Sequence, residues 1–367
     1  MKHPSLYLDW YIHVPAVKYD LRSSGIMYFR RELNLGEVDL SVNYANGNPE
    51  AIKQVARWYS TRKENIFVSS EGASGQNARI IRCLAERNPF KKEAIVEYPT
   101  YEPLLRATQE HFRRVRRLER LEKDAYALDA DRLRRLVSEK TGLLILTNPH
   151  APSGTISDVN ELKEVMNVAH EHGFYVLCDE IYAEFDRRAV PTLFSVDPLL
   201  GVVTTSYTKA YGLGGLKLGI ALAEKELVDD LYTDVVNTVG NSPNVVQLAA
   251  AELLGRGKVK LQKHVQKWSR LKKEAEEWLS SENLEYFPSK AGVTYWVKLQ
   301  INDTYRWINE KTISRYGLAA VPGTFFMFKS GYRLEKSNMV RLGLGAVNPD
   351  SSDLTEALGT LETALKG

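Results

Sequence analysis

The chain has 367 residues, 44% apolar and 26% charged, which excludes a globally disordered protein and leaves length for a large core in about two domains. Lys plus Arg number 49 and Asp plus Glu 46, a formal charge of +3, so a nucleic-acid partner held by bulk charge is excluded. No apolar run approaches the roughly 18 residues of a membrane helix. Cys83 and Cys178 are too few for a disulfide framework, and MKHPSLYLDWYIHVP lacks a leader pattern, so a cytoplasmic protein is expected.

In chain order, Ile66-Phe67-Val68 reads as a buried strand running into a Gly- and Ser-containing turn. Asn77 to Arg87 reads as a helix, with Ala78, Ile81 and Ala85 at helical spacing. Ala94-Ile95-Val96 and Leu143 to Leu146 are further strands, and Asp158 to His172 is a helix with Ser157 as its N-cap. Between them, Arg113, Arg114, Arg116, Arg117 and Arg120 read as an exposed strand and turn with solvated side chains. Strands follow at Tyr175-Val176-Leu177, Val202-Val203-Thr204 and Leu218-Gly219-Ile220. Helices dominate from Glu224 to Ser281, the last a long charged helix over Lys258 to Ser281. Strands return at Tyr295-Trp296-Val297 and Val340-Arg341-Leu342, and a helix near Ser352 to Leu365 closes the chain. Apolar β-branched runs between helices predict an α/β fold with a mostly parallel sheet sandwiched by helices. That large domain is expected over 36–258, with a smaller α+β domain from 1–35 plus 259–367.

The segment Ser206-Tyr207-Thr208-Lys209-Ala210-Tyr211-Gly212-Leu213-Gly214-Gly215-Leu216-Lys217 carries the strongest chemical signal. A lysine at the end of a buried strand is desolvated, its pKa falls, and it becomes a nucleophile for carbonyl groups. Hydroxyls, turn amides and Lys217 around it suit a phosphate. Asp179, in Cys178-Asp179-Glu180-Ile181-Tyr182 at another strand end, needs a cationic partner, and a protonated pyridine nitrogen is one. Glu71-Gly72-Ala73-Ser74 lies between a strand and a helix N-terminus, an anion site. Tyr101 offers a ring face for stacking, and Arg341 a fork for a carboxylate.

These segments, in this order, resemble the fold-type-I pyridoxal-phosphate (PLP) enzymes of the class I and II aminotransferases. The likeness runs from Leu35-Gly36-Glu37-Val38-Asp39 to Val340-Arg341-Leu342. The resemblance implies PLP as cofactor, with Lys209 forming the Schiff base and moving a proton during the reaction. It further implies Asp179 at the pyridinium nitrogen, Tyr182 at the ring oxygen and Tyr101 stacked on the ring. Gly72, Ala73, Ser74, Ser206 and Lys217 would hold the phosphate. Arg341 would bind the substrate carboxylate beside Gly36, and Tyr44 would reach the phosphate of a neighbouring subunit in a homodimer. The activity implied is amino transfer from an L-amino acid, aspartate or similar, to a 2-oxo acid such as 2-oxoglutarate.

Two positions depart from the family pattern. The asparagine that donates to the ring oxygen is Ala151, within Asn148-Pro149-His150-Ala151-Pro152-Ser153-Gly154, and a phosphate-binding arginine is Lys217, which keeps charge but loses the bidentate fork. The segment around Tyr44 is also shorter before its glycine than in many relatives. A β-lyase, a decarboxylase or a non-catalytic protein on the same scaffold are the alternatives. His150 reads as a solvated loop residue and Cys178 as a small buried hydrophobe; Trp10, Tyr11, Tyr19 and Tyr28 either line a pocket for aromatic side chains or, the preferred reading, pack the small domain.

Overall fold

The computed structural model describes residues 4–27, 34–39, 41–42, 44, 47–257, 262–263, 265–329 and 333–367. The chain begins with helix α1 (Leu6–His13) and strand β1 (Tyr19–Ser23). Next come α2 (Pro49–Tyr59), β2 (Ile66–Ser69), α3 (Gly72–Arg87), β3 (Glu93–Tyr98), α4 (Glu102–His111) and β4 (Arg114–Glu119). The order continues with α5 (Ala130–Leu136), β5 (Thr141–Thr147), α6 (Val159–His172), β6 (Tyr175–Asp179), α7 (Leu193–Val196), β7 (Gly201–Thr205) and β8 (Gly219–Leu222). Helices α8 (Lys225–Thr238), α9 (Asn244–Gly255) and α10 (Trp268–Ser281) precede β9 (Glu285–Pro288), β10 (Thr294–Lys298), β11 (Leu318–Pro322), β12 (Met339–Leu344) and α11 (Asp353–Lys366).

Seven strands form one sheet in the order β2-β8-β7-β6-β5-β3-β4, with β8 antiparallel to both neighbours and the other pairings parallel. The expected α/β class with a mostly parallel sheet is therefore what the chain forms. Its inner strands alternate between two covered faces. Leu144, Leu146, Val176 and Val203 pack against Val55 of α2 and Leu162 and Val165 of α6. Ile145, Leu177 and Val202 face Ile80, Ile81 and Leu84 of α3 and Leu227 and Leu231 of α8. Burial on both faces is why these strands read as continuous apolar runs. The second sheet has the order β1-β11-β12-β10-β9, and β1 enters it parallel to β11 and β12. The N-terminal segment thus joins strands from the far end of the sequence. The C-terminal ends of β2, β3, β5, β6 and β7 share one edge of the large sheet, where ligands bind in open α/β folds.

Several local expectations differ from the structure. Helix α3 starts at Gly72 rather than Asn77, because Gly72 takes a left-handed φ of 69° and turns β2 directly into the helix. The cap of α6 is Asp158, not Ser157: its carboxylate accepts from the backbone N–H groups of Asn160 and Glu161 while the Glu161 side chain reaches back. The single helix over Lys258 to Ser281 is broken by a turn at Gln266 and Lys267, and residues 258–261 and 264 lie outside the described residues.

The arginines 113–120 are not uniformly solvated. Strand β4 is an edge strand, but Arg120 is buried, donating to Glu97 (3.0 Å), to the Tyr126 carbonyl and to Ser157. His150 is buried too, within hydrogen-bond distance of Ser153 Oγ (2.7 Å) and the Pro99 carbonyl (3.0 Å), and it stacks on Tyr126. Charge pattern hid these residues because each finds its partner far along the chain. Burial pushes the Glu97 carboxyl up to about 7 against the pull of Arg120. Replacing Arg120 by Met leaves that carboxyl unpaired. The variant is expected to lose about 3 kcal/mol, read as a lower midpoint in urea unfolding, and a midpoint equal to wild type contradicts the pairing.

Candidate active site

A cavity of about 630 Å³ opens at the C-terminal edge of the large sheet and is closed by residues of the second sheet and α1. Its floor at one end is the start of α3. Glu71 precedes the helix without giving it a side-chain cap, and Gly72, Ala73 and Ser74 line the cavity. The N-terminal amides and the positive helix end there suit a phosphate. Gly72 donates its N–H to the Lys217 carbonyl (2.5 Å). Lys217 itself holds φ at 49°, a conformation costing about 1 kcal/mol or more in a residue with a Cβ.

Asp179 ends β6, buried, accepting from Asn77 Nδ2 (2.7 Å) and the Ile181 N–H (2.9 Å). Burial raises its pKa to about 6, and the two hydrogen bonds only partly offset it. That is the state of a carboxylate lacking a cation. Lys209 follows β7 and lines the same cavity. Surrounding protein desolvates its ammonium and lowers its pKa; Arg341 and Lys217 add to the fall, while Tyr7 and Asp179 oppose it. Among the described residues Lys209 forms no ion pair. Gly25, just after β1, crosses it so closely that a Cβ would sit 2.7 Å from Lys209 Cδ, and the Ile26 N–H donates to the Lys209 carbonyl (2.8 Å).

Arg341 stands on β12, buried. One Nη2 donates to Tyr7 Oη and to the Arg22 carbonyl, both at 3.0 Å, while Nε has no partner among the described residues. A buried guanidinium with an open donor suits a carboxylate. Tyr101 and Tyr182 complete the lining, with the Tyr101 ring 5.9 Å from that of Tyr7. At Ala151 the backbone N–H donates to Thr147 Oγ1 (2.8 Å), which donates to Glu97 (2.5 Å), so this corner offers no side-chain donor from position 151.

Of the residues singled out by sequence, Gly72, Ala73, Ser74, Tyr101, Asp179, Tyr182, Lys209, Lys217 and Arg341 line one cavity. Gly36, Tyr44 and Ser206 do not. Gly36 sits in a separate segment, and the glycine at the lysine is Gly25, because β1 delivers Ser23–Met27 across it. Ser206 is fully buried behind Thr208, whose N–H its hydroxyl accepts at 3.3 Å. Tyr44 forms an isolated bridge with Ser242. Sequence reasoning missed Tyr7, Ser24, Gly25 and Asn77. The Ser24-Gly25 pair straight after a strand was a usable signal, and nothing local marks Tyr7; of the N-terminal aromatics, Tyr11 lines the cavity and Tyr28 lies outside the described residues.

The residues present fit PLP on the structure's own terms: a helix N-terminus without a side-chain cap, a buried acid with no ion pair among the described residues, an enclosed amine and a guanidinium whose Nε has no partner among them share one space. In Gly25→Ala the added methyl would lie 2.7 Å from Lys209 Cδ and 3.0 Å from its Cα, so Lys209 must shift. The variant should slow PLP uptake by about tenfold or more by displacing the amine; uptake at the wild-type rate, followed by absorbance, contradicts this packing.

The sequence profile of the family described as Aminotransferase class I and II matches residues 33–360. Histidinol-phosphate aminotransferase 2 of Pasteurella multocida is 26% identical over 322 residues, covering 86% of this chain and 81% of that protein. Histidinol-phosphate aminotransferase 1 of Idiomarina loihiensis is 30% identical over 273 residues, covering 73% and 64%. Among solved structures, a PLP-dependent aminotransferase from Streptococcus suis superposes with a TM-score of 0.83 at 22% identity, covering 100% of this chain and 98% of that one. A Thermus thermophilus aspartate aminotransferase mutant gives a TM-score of 0.80 at 19% identity over the whole of both chains. The chain belongs to the class I and II aminotransferases, enzymes of the transferase class that depend on PLP.

Proposed function

We propose that this enzyme moves the amino group of an L-amino acid to 2-oxoglutarate or a similar 2-oxo acid. The observation that carries the reading is an enclosed lysine of lowered pKa in one cavity with Asp179 and Arg341. When bound, PLP supplies an electron sink for the reacting carbon. Lys209 would be the residue that holds the cofactor covalently, and its amine would carry the proton at the reacting carbon. Its lowered pKa keeps a larger fraction in the neutral form that can attack or accept a proton. Asp179 keeps the ring nitrogen protonated, and the cation in turn relieves the desolvation of the carboxylate. Tyr101 stacks on the ring.

The Ala73 and Ser74 amides with Lys217 would hold the phosphate where Gly72 turns the chain into the helix, and Thr208 lines the same cavity. With Ala151 in place of a donor, Tyr182 is the remaining side chain for the ring oxygen. The open Nε of Arg341 takes the substrate carboxylate, and the Tyr7 hydroxyl fixes the guanidinium. Aspartate was the substrate expected from sequence. The two relatives above are named for histidinol phosphate, a different amino donor.

A homodimer is part of the proposal. Exposed Tyr232 and Val236 lie on α8 with exposed Val239 just after it, and exposed Val245 of α9 and Tyr44 follow the same stretch through the Tyr44–Ser242 bridge. Tyr44 would serve the partner's site from there. We place the enzyme in the cytoplasm: among the described residues no helix is long and apolar enough to cross a membrane, and Cys83 and Cys178 are free thiols.

Lys209→Ala should lower turnover about 10²–10⁴-fold or more in a donor–acceptor assay with 2-oxoglutarate; retained turnover contradicts its role. Ammonia release without a 2-oxo acid would favour a lyase instead. The pH dependence has a fixed sign. The protonated amine cannot attack, so PLP uptake by the apoprotein should rise with pH and reach half its maximum below 10.5, the ordinary lysine value. A midpoint at or above that value, measured by stopped-flow absorbance, contradicts the desolvated amine.

A further inference from the structure

The cavity wall that runs outward from Arg341 is aromatic and uncharged. Tyr7 touches Arg341 through its hydroxyl and Tyr101 through its ring, and Tyr11 meets Tyr7 edge-on with centroids 5.9 Å apart. Beyond them, Leu8 and Met27 line the cavity at its rim, 37% and 64% exposed. Ile26 completes this wall. Resting on the proposed transamination, with the α-carboxylate on Arg341, we infer that this compartment takes the flat ring of an aromatic side chain, so the preferred donor is an aromatic L-amino acid rather than a dicarboxylic one.

Three further observations support the assignment. Among the described lining residues the cations are Lys209, Lys217 and Arg341, and each already has a task. The one further carboxylate of the lining besides Asp179 is Glu71, engaged by Arg79 at 2.7 Å. Among the described lining residues, no cation is left over to pair a second substrate carboxylate. Ring edges are already presented: Tyr7 stands edge-on to both Tyr11 and Tyr101, the geometry in which a third ring gains contact beyond area alone. The wall is also held in place. Glu102 of α4 is buried and accepts from Ser5 Oγ (2.9 Å), the Leu6 N–H (3.0 Å) and the Tyr7 N–H (2.6 Å), and Arg106 holds that carboxylate at 2.7 Å. A pinned helix start sets Tyr7 and Tyr11 before substrate arrives.

The test uses the PLP-loaded enzyme and two unreactive carboxylates, 3-phenylpropionate and succinate, with binding followed by the change in cofactor absorbance. The expected result is at least about tenfold tighter binding of 3-phenylpropionate. Equal or tighter binding of succinate overturns the proposal. In parallel, kcat/KM is measured for L-phenylalanine, L-alanine and L-aspartate with 2-oxoglutarate. Phenylalanine should exceed aspartate, and Tyr11→Ala should lower the phenylalanine-to-alanine ratio about tenfold while Tyr11→Phe keeps it within about twofold. An unchanged ratio in Tyr11→Ala overturns the role of the wall. If no amino acid is converted, the transamination reading fails, and the binding comparison on unaltered protein still decides the ring compartment. It also decides if the Tyr11→Ala variant does not fold.

Discussion

An amine enclosed by protein, next to two other cations and without an ion pair among the described residues, is the constraint around which this fold is arranged. Desolvation works against the charged form of Lys209, and Arg341 and Lys217 work the same way. The same space holds a buried acid, Asp179, whose own charge is disfavoured. Two ionisations of opposite sign, each disfavoured by burial, sit in one cavity, where a phosphate, a ring nitrogen and a carboxylate would complement them. The large sheet makes this possible because parallel strands buried on both faces bring Thr147, Asp179 and the Lys209 loop to one edge.

The second sheet and α1 complete the cavity from the other side. β1 runs parallel to β11 and β12, which places Arg341 and Ser23–Met27 opposite the large sheet. Gly25 is needed there for space: its backbone lies where a side chain would strike Lys209. Helix α1 is tied to α4 through Glu102 and to β12 through Tyr7. The residues that hold Arg341 therefore come from the first 27 residues, while Asp179, Lys209 and the start of α3 come from the middle of the chain.

That division explains what was legible. The layered fold, the ends of β6 and β7, and Gly72-Ala73-Ser74 could be read because apolar periodicity and strand-end chemistry are local. Lys209, Asp179 and Arg341 followed for the same reason. Tyr7 could not be read this way, since it acquires meaning only when β12, 334 residues on, brings Arg341 against it. Gly25 escaped notice because its close approach to Lys209 is set by sheet pairing. Arg120 and His150 were misjudged as solvated because Glu97, Ser157 and Pro99, which satisfy them, are distant in sequence. Local reasoning sees which groups can do chemistry; which of them are dry is decided by tertiary contacts.

The central claim is that Lys209, made nucleophilic by its enclosure, is where PLP is held. Borohydride reduction of the PLP-loaded protein, followed by proteolysis and mass analysis, tests it most directly. The account predicts one pyridoxyl-phosphate adduct per chain, on Lys209. Labelling of another lysine, or no adduct at saturating PLP, would contradict it.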